Sequence, residues 1–288
     1  YFNHSEFVSQ KCKDAIVDQF RERTGQRPSI DKVHPDLRIN IHIDKDQVSV
    51  ALDTSGNALN QRGYRTATNI APINEVLAAG ILLLSGWDGQ TDFLDPMCGS
   101  GTFLAEAAMI ACKIPANINS KEFAFEKWKD WDNDLFDAIS DSLLKRVREF
   151  HYTIKGYDKA PSAVQKAKDN IRNANLDEYI SIEEKNFFDT EKTSEGKLQV
   201  VFNPPYDERL DIHMEEFYKN IGDTLKKNYP GTNAWMITAN LEALKYVGLK
   251  PSRKIKLFNA GLEARLVKYE MYEGSKRTKF QVTNEPVE

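Results

Sequence analysis

The 288-residue chain has few cysteines, and its three thiols lie far apart in the sequence. Cys12, Cys98 and Cys112 form no Cys-x-x-Cys pair, which argues against a disulfide framework and against a zinc site. The five histidines are also scattered, without the spacing of a motif such as His-Glu-x-x-His. We therefore expect no metal, and the unpaired thiols fit a reducing cytoplasm.

Long apolar runs are missing as well. The longest run, from Ala78 to Leu84, is far shorter than the roughly 18 residues that a membrane span needs. No signal peptide is visible, and the first residue is Tyr1 rather than Met, so we expect this chain to begin inside a longer protein. We expect no membrane partner, and nothing in the sequence predicts an oligomeric state.

The chain also has no excess of positive charge, since its formal net charge is −4. Proteins that bind nucleic acid are often basic overall, so this balance weighs against such a partner. Local basic clusters are nevertheless present, and they are either solvated loop charges or contacts for a polyanion. Their members are Lys250, Arg253, Lys254 and Lys256 in one cluster, and Lys276, Arg277 and Lys279 in the other.

The pattern of apolar residues divides the chain into two regions. Residues 8–20 have helical spacing, and residues 37–43 and 48–52 alternate as a strand pair, so residues 1–65 are predicted to be a partial α+β region. Residues 66–288 are predicted to be one large domain, in which residues 113–150 are an insertion. Its predicted strands are residues 91–94, 153–157, 179–183, 198–202, 234–239, 254–258 and 265–272, and its predicted helices are residues 70–84, 102–112, 161–174, 212–227 and 241–247.

Strands that alternate with helices predict an α/β fold with a mainly parallel, seven-stranded sheet and helices on both faces. The last two strands are joined only by residues 259–264, which is too short for a crossover helix. The last strand is therefore predicted to pair antiparallel.

A glycine-rich segment, Asp95 to Thr102, lies between a predicted strand and a predicted helix. Ligands bind at the carboxyl ends of parallel strands, and Gly99 and Gly101 permit a close approach of the backbone to a ligand. The amides at the start of the helix suit an anionic group such as a carboxylate. No Lys follows Gly101, and Leu104 stands where a dinucleotide site needs its third glycine, so neither a P-loop nor a dinucleotide fingerprint fits.

Asp158 ends the next predicted strand, where a carboxylate can accept hydrogen bonds from ribose hydroxyls. Its distance from the glycines exceeds the usual roughly 20 residues, and the insertion at 113–150 accounts for the excess. The alternative is a local role at the start of the helix that begins with Pro161.

The turn Asn203-Pro204-Pro205-Tyr206 follows the strand 198–202. An Asn amide oxygen and a Pro carbonyl can accept both hydrogens of an NH2 group, which turns the nitrogen lone pair toward an incoming methyl group. Tyr206 offers a face on which a base can stack. A sulfonium is an activated methyl donor, so positioning and electrostatics suffice without a metal or a strong base. The alternative is a plain turn after a strand.

Several segments resemble a THUMP-associated RNA methyltransferase family, whose best-known bacterial members make N2-methylguanosine in large-subunit ribosomal RNA. The resemblance covers residues 1 to 272 and includes relatives labelled as N6-adenine-specific DNA methylases, because the turn at Asn203 is shared. It implies a class I, Rossmann-like methyltransferase domain after the tail of a THUMP-like RNA-binding region. The segments that carry it are Asn60 to Arg65, Ala71 to Ile73, Asp95 to Thr102, Phe125 to Trp128 and Asn203 to Arg209.

The resemblance also implies a site for S-adenosyl-L-methionine and an RNA partner. In the family the glycine loop contacts the methionine part and Asp158 the ribose. Asn186 stands where an Asp usually contacts the adenine amine, and Phe187 either flanks the adenine or packs in the core. The cofactor-binding residues so implied are Asp95, Pro96, Cys98, Gly99, Gly101, Thr102, Asp158, Asn186, Phe187 and Asn203, and the catalytic ones are Asn203, Pro204, Pro205 and Tyr206.

Three other functions stay open. A DNA adenine-N6 methyltransferase of this motif order usually carries a target-recognition domain after the last strand, and we expect none here because some 16 residues follow Tyr272. A protein-glutamine methyltransferase also uses such a turn, but it lacks the segment Arg62 to Arg65 and has a helical N-terminal domain. A catalytically silent RNA-binding module is favoured only by the departure at Asn186.

Overall fold

The computed structural model describes residues 4–66, 73–118, 122–205, 213–259 and 261–273. The chain divides into two compact units, one of residues 1–58 with 121–136 and the other of residues 59–120 with 137–288. This division differs from the boundary expected at residue 65 and from a single insertion at 113–150. Residues 59–65 belong to the second unit, and part of the expected insertion belongs to the first.

The first unit contains helix α1 (Ser5–Thr24) and a hairpin of strands β1 (Arg38–Asp44) and β2 (Gln47–Asp53). The helix ends at Gly25, which adopts a φ of 70°. The hairpin is antiparallel, with Ile41 opposite Val50 in its register. The helix and the two strands that the apolar pattern predicts in this region are therefore confirmed.

A short 3-10 turn (Ala124–Lys127) is attached to the end of β2 in the first unit. The amides of Ala124 and Phe125 donate to the carbonyls of Ser55 and Thr54, at 3.3 and 3.1 Å. These main-chain bonds explain why this piece of the expected insertion groups with the hairpin. Aromatic rings surround the turn, with Phe123 stacked on Phe125 at a centroid distance of 5.2 Å.

The second unit is built on a seven-stranded sheet with the order β5-β4-β3-β6-β7-β9-β8. Strands β3 to β7 are parallel, and β9 runs antiparallel to both β7 and β8. This arrangement confirms the predicted fold class and the antiparallel last strand. The strands are β3 (Asp92–Asp95), β4 (Ile154–Asp158), β5 (Ile180–Glu184), β6 (Leu198–Phe202), β7 (Asn233–Thr238), β8 (Arg253–Asn259) and β9 (Leu262–Glu270). The helices are α2 (Glu75–Leu84), α3 (Thr102–Cys112), α5 (Pro161–Asn173) and α6 (Met214–Asn228). Helix α4 (Asn133–Leu144) is divided between the two units after residue 136.

Two apolar layers cover the faces of this sheet. Side chains of α2, α3 and α5 form one layer, and side chains of α6 with the segment after β7 form the other. Alanines fill much of α3, so this helix lies close to the sheet, with Leu104 fully buried. On the opposite layer Phe202 and Tyr218 are fully buried. The sheet is therefore held rigidly from both sides, which fixes the positions of its strand ends.

Three details differ from the expected elements. Helix α2 begins at Glu75 rather than at residue 70, because the Asn74 side chain caps it by accepting the amides of Val76 and Leu77; residues 67–72 lie outside the described part of the chain. The expected helix at 241–247 is a 3-10 turn, Ala243–Val247. Strand β9 begins at Leu262, paired with Asn259, so the expected loop at 259–264 is a much tighter turn.

Candidate active site

The glycine loop returns the chain from β3 to α3 within a few residues. Gly99 and Gly101 have φ values of 54° and 84°, in the left-handed region that favours glycine. A side chain at Gly101 would also approach the Ala167 side chain on α5 at 3.3 Å. Helix α3 begins at the carboxyl edge of the sheet, so its first amides lie at that edge. Gly101 has no side chain to accept hydrogen bonds from them, and they therefore suit an anion.

Asp158, the last residue of β4, is tied to this loop. One carboxylate oxygen accepts the Gly99 amide at 3.0 Å, and the other accepts the Ala160 amide at 2.9 Å. The second bond is the local role at the start of α5 that the sequence left open. Each carboxylate oxygen has a further lone pair, so these two bonds leave acceptor capacity for ribose hydroxyls.

Asp95, the last residue of β3, is buried with 1% of its surface exposed. One of its oxygens accepts the Met97 amide at 3.1 Å. Burial raises the pKa of Asp95 well above its usual value, and the nearby Asp158 carboxylate raises it further. Asp95 is thus a buried acceptor at the base of the loop, and its ionised form is disfavoured.

Two residues of the loop serve the core. Pro96 is buried, and the Cys98 thiol lies in the apolar layer beneath the loop. A side chain at Gly156 on β4 would clash with Leu104 and would come within 3.2 Å of the Cys98 sulfur. Burial raises the pKa of the Cys98 thiol well above its usual value. The side chains of Pro96 and Cys98 are therefore packing groups. The Cys98 amide donates to the Tyr157 carbonyl at 2.8 Å, and the Cys98 carbonyl accepts the Gly101 amide at 2.8 Å, so the main chain of Cys98 is used within the fold.

Asn186 follows β5 by two residues and caps a 3-10 turn, Phe187–Asp189. Its side-chain oxygen accepts the Phe188 amide at 3.4 Å, and its nitrogen donates to the Asp189 carboxylate at 2.8 Å. The Phe187 ring is 2% exposed and packs against Tyr229 at a centroid distance of 5.5 Å. Of the two interpretations of Phe187, the structure supports core packing, and the flanking role of its ring is not supported.

The Asn203 turn follows β6, which pairs with β3 through Leu94 and Val200. Asn203 and Pro205 are half-buried and Pro204 is buried, whereas Tyr206 lies outside the described residues. From β3 the chain continues to β4 and β5 on one side of β3, and it later returns to β6 on the other side. The carboxyl ends of β3 and β6 therefore form the switch point of the sheet, where ligands bind. The structure thereby brings Asp95, Asp158 and Asn203 to the same edge, at the ends of adjacent strands.

A group of buried polar residues supports the glycine loop and the start of α3, and the sequence did not predict this role for them. Arg65 donates to the Thr102 hydroxyl at 2.7 Å and lies 3.0 Å from the Glu75 carboxylate. Asn170 on α5 donates to the Ser100 carbonyl at 3.0 Å. Asn170 also accepts the Thr66 amide at 3.1 Å, so the segment before α2 is bonded directly to Thr102 and, through Asn170, to Ser100.

A second ion pair joins the same segment to α3. Arg62 lies 3.2 Å from Glu106, and the two side chains are only 8% and 2% exposed. Burial raises the pKa of Glu106, and the Arg62 guanidinium opposes this rise. The signal in the sequence was the single acidic residue in the otherwise apolar Ala-rich helix α3, because such a residue needs a buried partner.

In the part of the chain that the structure describes, no cluster of three or more metal-ligating side chains is present. Of the helices described, none has the length and apolar character that a membrane crossing requires.

Comparison with known families gives two matches. A model described as the RMKL-like methyltransferase domain matches residues 62–268, and a THUMP domain model matches residues 2–53. A ribosomal RNA large subunit methyltransferase K/L from Syntrophotalea carbinolica is 37% identical and covers 94% of this chain, but this chain covers 40% of that protein. For the corresponding protein of Methylococcus capsulatus the values are 39%, 93% and 37%. The chain thus spans about two fifths of the length of these relatives.

Solved structures are similar over most of the chain. A possible methylase from Clostridium difficile 630 has a TM-score of 0.81 and 31% identity, and the similarity covers 92% of this chain and 70% of that one. SMU.472, solved as a complex with SAH, has a TM-score of 0.80 and 31% identity over 91% of this chain and 70% of its own. Both likenesses include the sheet whose carboxyl edge holds the candidate site.

Proposed function

The chain belongs to the RMKL-like methyltransferase family, and we propose that it transfers a methyl group to an exocyclic amino nitrogen of a base in RNA, most specifically to guanine N2 of large-subunit ribosomal RNA. S-adenosyl-L-methionine is the methyl donor. The observation that carries the proposal is the convergence of the glycine loop, Asp158 and Asn203 on one edge of the sheet.

The residues at this edge fit the methyl donor. The left-handed glycines turn the loop tightly, and the first amides of α3 suit the donor's carboxylate. Asp158 has acceptor capacity left for the ribose hydroxyls. Asn186 would accept the adenine amine with its side-chain oxygen, which is already an acceptor for Phe188. S-adenosyl-L-methionine supplies a sulfonium-activated methyl group when bound, so the chain's own task is positioning.

The Asn203 turn would hold the acceptor nitrogen. The side-chain oxygen of Asn203 and the Pro204 carbonyl accept the two hydrogens of the amino group, so its lone pair points toward the glycine loop. These oxygens are favourable partners for the positive charge that develops on the nitrogen during transfer. Tyr206 supplies a stacking surface for the base. One hydrogen leaves the nitrogen as a proton after transfer, and no strong base is required for it.

The names of the relatives support ribosomal RNA as the substrate, and the THUMP match supports an RNA contact in the N-terminal region. We assign residues 1–65 to this region and its linker and residues 66–288 to methyl transfer.

A labelled-methyl assay tests the proposal. The protein is incubated with labelled S-adenosyl-L-methionine and, separately, with total RNA, genomic DNA and protein, and the products are analysed by nucleoside and amino-acid mass spectrometry. N2-methylguanosine in RNA is expected, and it should disappear with Asn203→Ala. Label at adenine N6 of DNA without label in RNA would contradict the proposal, as would methylglutamine in protein.

A further inference from the structure

The β8–β9 hairpin extends beyond the edge of the sheet that holds the site. The last pair between β7 and β9 is Thr238 with Arg265, whereas β8 and β9 continue for three more pairs, up to Asn259 with Leu262. At about 3.4 Å per residue, the tip extends roughly 10 Å past the end of β7. Strand β8 runs in the same direction as β6, so the tip lies on the side of the Asn203 turn.

The strand register gives the position of each β8 residue along the strand direction, relative to the carboxyl edge of the sheet. Four residues pair in one row across the sheet: Phe202 on β6 with Met236 on β7, Met236 with Val267 on β9, and Val267 with Lys254 on β8. Lys254 is therefore at the same position along the strand direction as Phe202, which is here called level with it. Lys256, two residues later, is therefore level with the Asn203 turn, and Phe258 lies above it. Three strand spacings of about 4.8 Å separate β6 from β8, so Lys256 lies roughly 14 Å to the side of the turn.

Lys254, Lys256 and Phe258 share one face of β8, because side chains alternate along a strand. Phe258 is 59% exposed, which is unusual for an aromatic residue on a sheet, and the Lys256 ammonium lies 5.3 Å from the centre of its ring. Lys256 and Arg265 both contact the Glu263 carboxylate, at 2.6 and 2.7 Å. With Lys254, three cations face one carboxylate, so this face is positively charged in a protein of negative net charge.

A single exposed apolar residue is common on protein surfaces and carries no function by itself. Here the exposed ring lies to the side of the candidate site and beyond the end of β7, next to cations, on a hairpin that extends past the sheet edge. We propose that this face of the hairpin binds single-stranded RNA next to the target nucleotide. Phe258 stacks on a neighbouring base, and Lys254 and Lys256 contact its phosphates. This inference rests on the proposed function.

The decisive variant is Phe258→Ala, assayed on deproteinised large-subunit ribosomal RNA. Loss of a stacked base should raise the KM for RNA about tenfold. The kcat and the Kd for SAH should not change, because the glycine loop and the Asn203 turn remain intact. Phe258→Trp should restore the KM, since it retains an aromatic face. The control is Tyr152→Ala, which removes a 44% exposed ring at the opposite edge of the sheet and should leave the KM unchanged.

Salt dependence tests the phosphate contacts. Lys256→Gln should reduce the magnitude of the slope of log affinity for RNA against log salt by about 0.7, the contribution of one phosphate contact with a single strand. Lys250→Gln, an exposed lysine just before β8, is the matched control and should leave the slope unchanged.

Two outcomes separate this inference from the proposed function. An active wild-type enzyme whose KM for RNA is unaffected by Phe258→Ala would overturn the hairpin contact alone. A wild-type enzyme that methylates no RNA would overturn both. Variants that lose affinity for SAH in parallel with RNA would also contradict the hairpin contact, because they would show a general effect on the fold. Thermal melting of each variant checks that it is folded.

Discussion

The two halves of the sheet edge are built differently. In the donor half, at β3 and β4, side chains and backbone are bonded to one another below the surface: Asp158 to Gly99, Asn170 to Ser100, and Arg65 to Thr102. The acceptor half, at β6 and toward β8, presents the half-buried Asn203 and the exposed Phe258. The methyl donor is a small molecule of constant shape, which a preorganised loop can hold. The methyl acceptor is a polymer, RNA, which needs an accessible surface. Substitutions in the donor half should therefore change stability or cofactor affinity, and those in the acceptor half should change RNA binding or methyl transfer without changing cofactor affinity.

The largest expected effect lies in the acceptor half. Asn203→Ala should lower the rate of methyl transfer at least about a hundredfold, because it removes an oxygen directed at the developing positive charge. The Kd for SAH, measured by calorimetry, should stay the same. If transfer and SAH affinity fell in equal proportion, the proposed division between the two halves would be wrong.

The buried ion pair in the donor half should have the largest effect on stability. Arg62→Ala leaves the Glu106 carboxylate buried without its partner, so the free energy of unfolding in urea should fall by about 3–5 kcal/mol. Replacing both residues, as Arg62→Met with Glu106→Leu, should recover most of this loss. Lys245→Ala is the control, since it removes an exposed pair with Glu242 and should leave the free energy of unfolding nearly unchanged. A similar loss from both single variants would show that burial of the Arg62 pair is not what matters.

Asp158 should affect affinity more than catalysis. Asp158→Ala removes a charged acceptor from both Gly99 and the expected ribose, so the Kd for SAH should rise at least about tenfold. Asp158→Asn keeps one acceptor oxygen and should be intermediate. Calorimetric titration with SAH measures both. An unchanged Kd in the alanine variant would remove Asp158 from the cofactor site.

The smallest effect concerns pH and Asp95. The pKa of Asp95 is raised in the folded protein, so its ionisation disfavours folding as the pH rises from the unfolded value of 3.8 through the raised folded value. Asp95→Asn removes this group, and the variant should therefore gain stability relative to the wild type as the pH rises, with no difference below about pH 4. Urea unfolding at several pH values gives the two curves. Parallel curves over the whole range would contradict the assigned burial of the charge.

Local sequence patterns predicted the elements that position the site, because each element follows from the apolar residues and glycines within its own segment. The apolar strand 198–202 and the helix 102–112 have the predicted bounds, and the glycines at 99 and 101 adopt the left-handed φ that the loop requires. Phe187 was ambiguous because both a ligand contact and a core contact call for an aromatic ring after a strand. The core contacts of its ring are with Tyr229 and Phe202, which are distant in sequence, so no local pattern could predict them.

The bonds behind the loop could not be predicted, since they join residues far apart in sequence. Nothing local pairs Arg65 with Thr102, or Arg62 with Glu106. The same limit applies to residues 121–136, whose attachment to the first unit depends on main-chain bonds to residues 54 and 55. The predicted domain boundary differed from the structure for this reason.

The segment from Leu59 to Thr66 also determines how the protein can be cut into fragments. A catalytic fragment that began at residue 66, the boundary that composition suggests, would lose Arg62 and Arg65 and leave Glu75 and Glu106 as buried acids without counterions. One that began at Leu59 would keep both pairs and the contacts of this segment with α5 through Asn173. Anyone who expresses the methyltransferase region alone should therefore begin the fragment at or before Leu59.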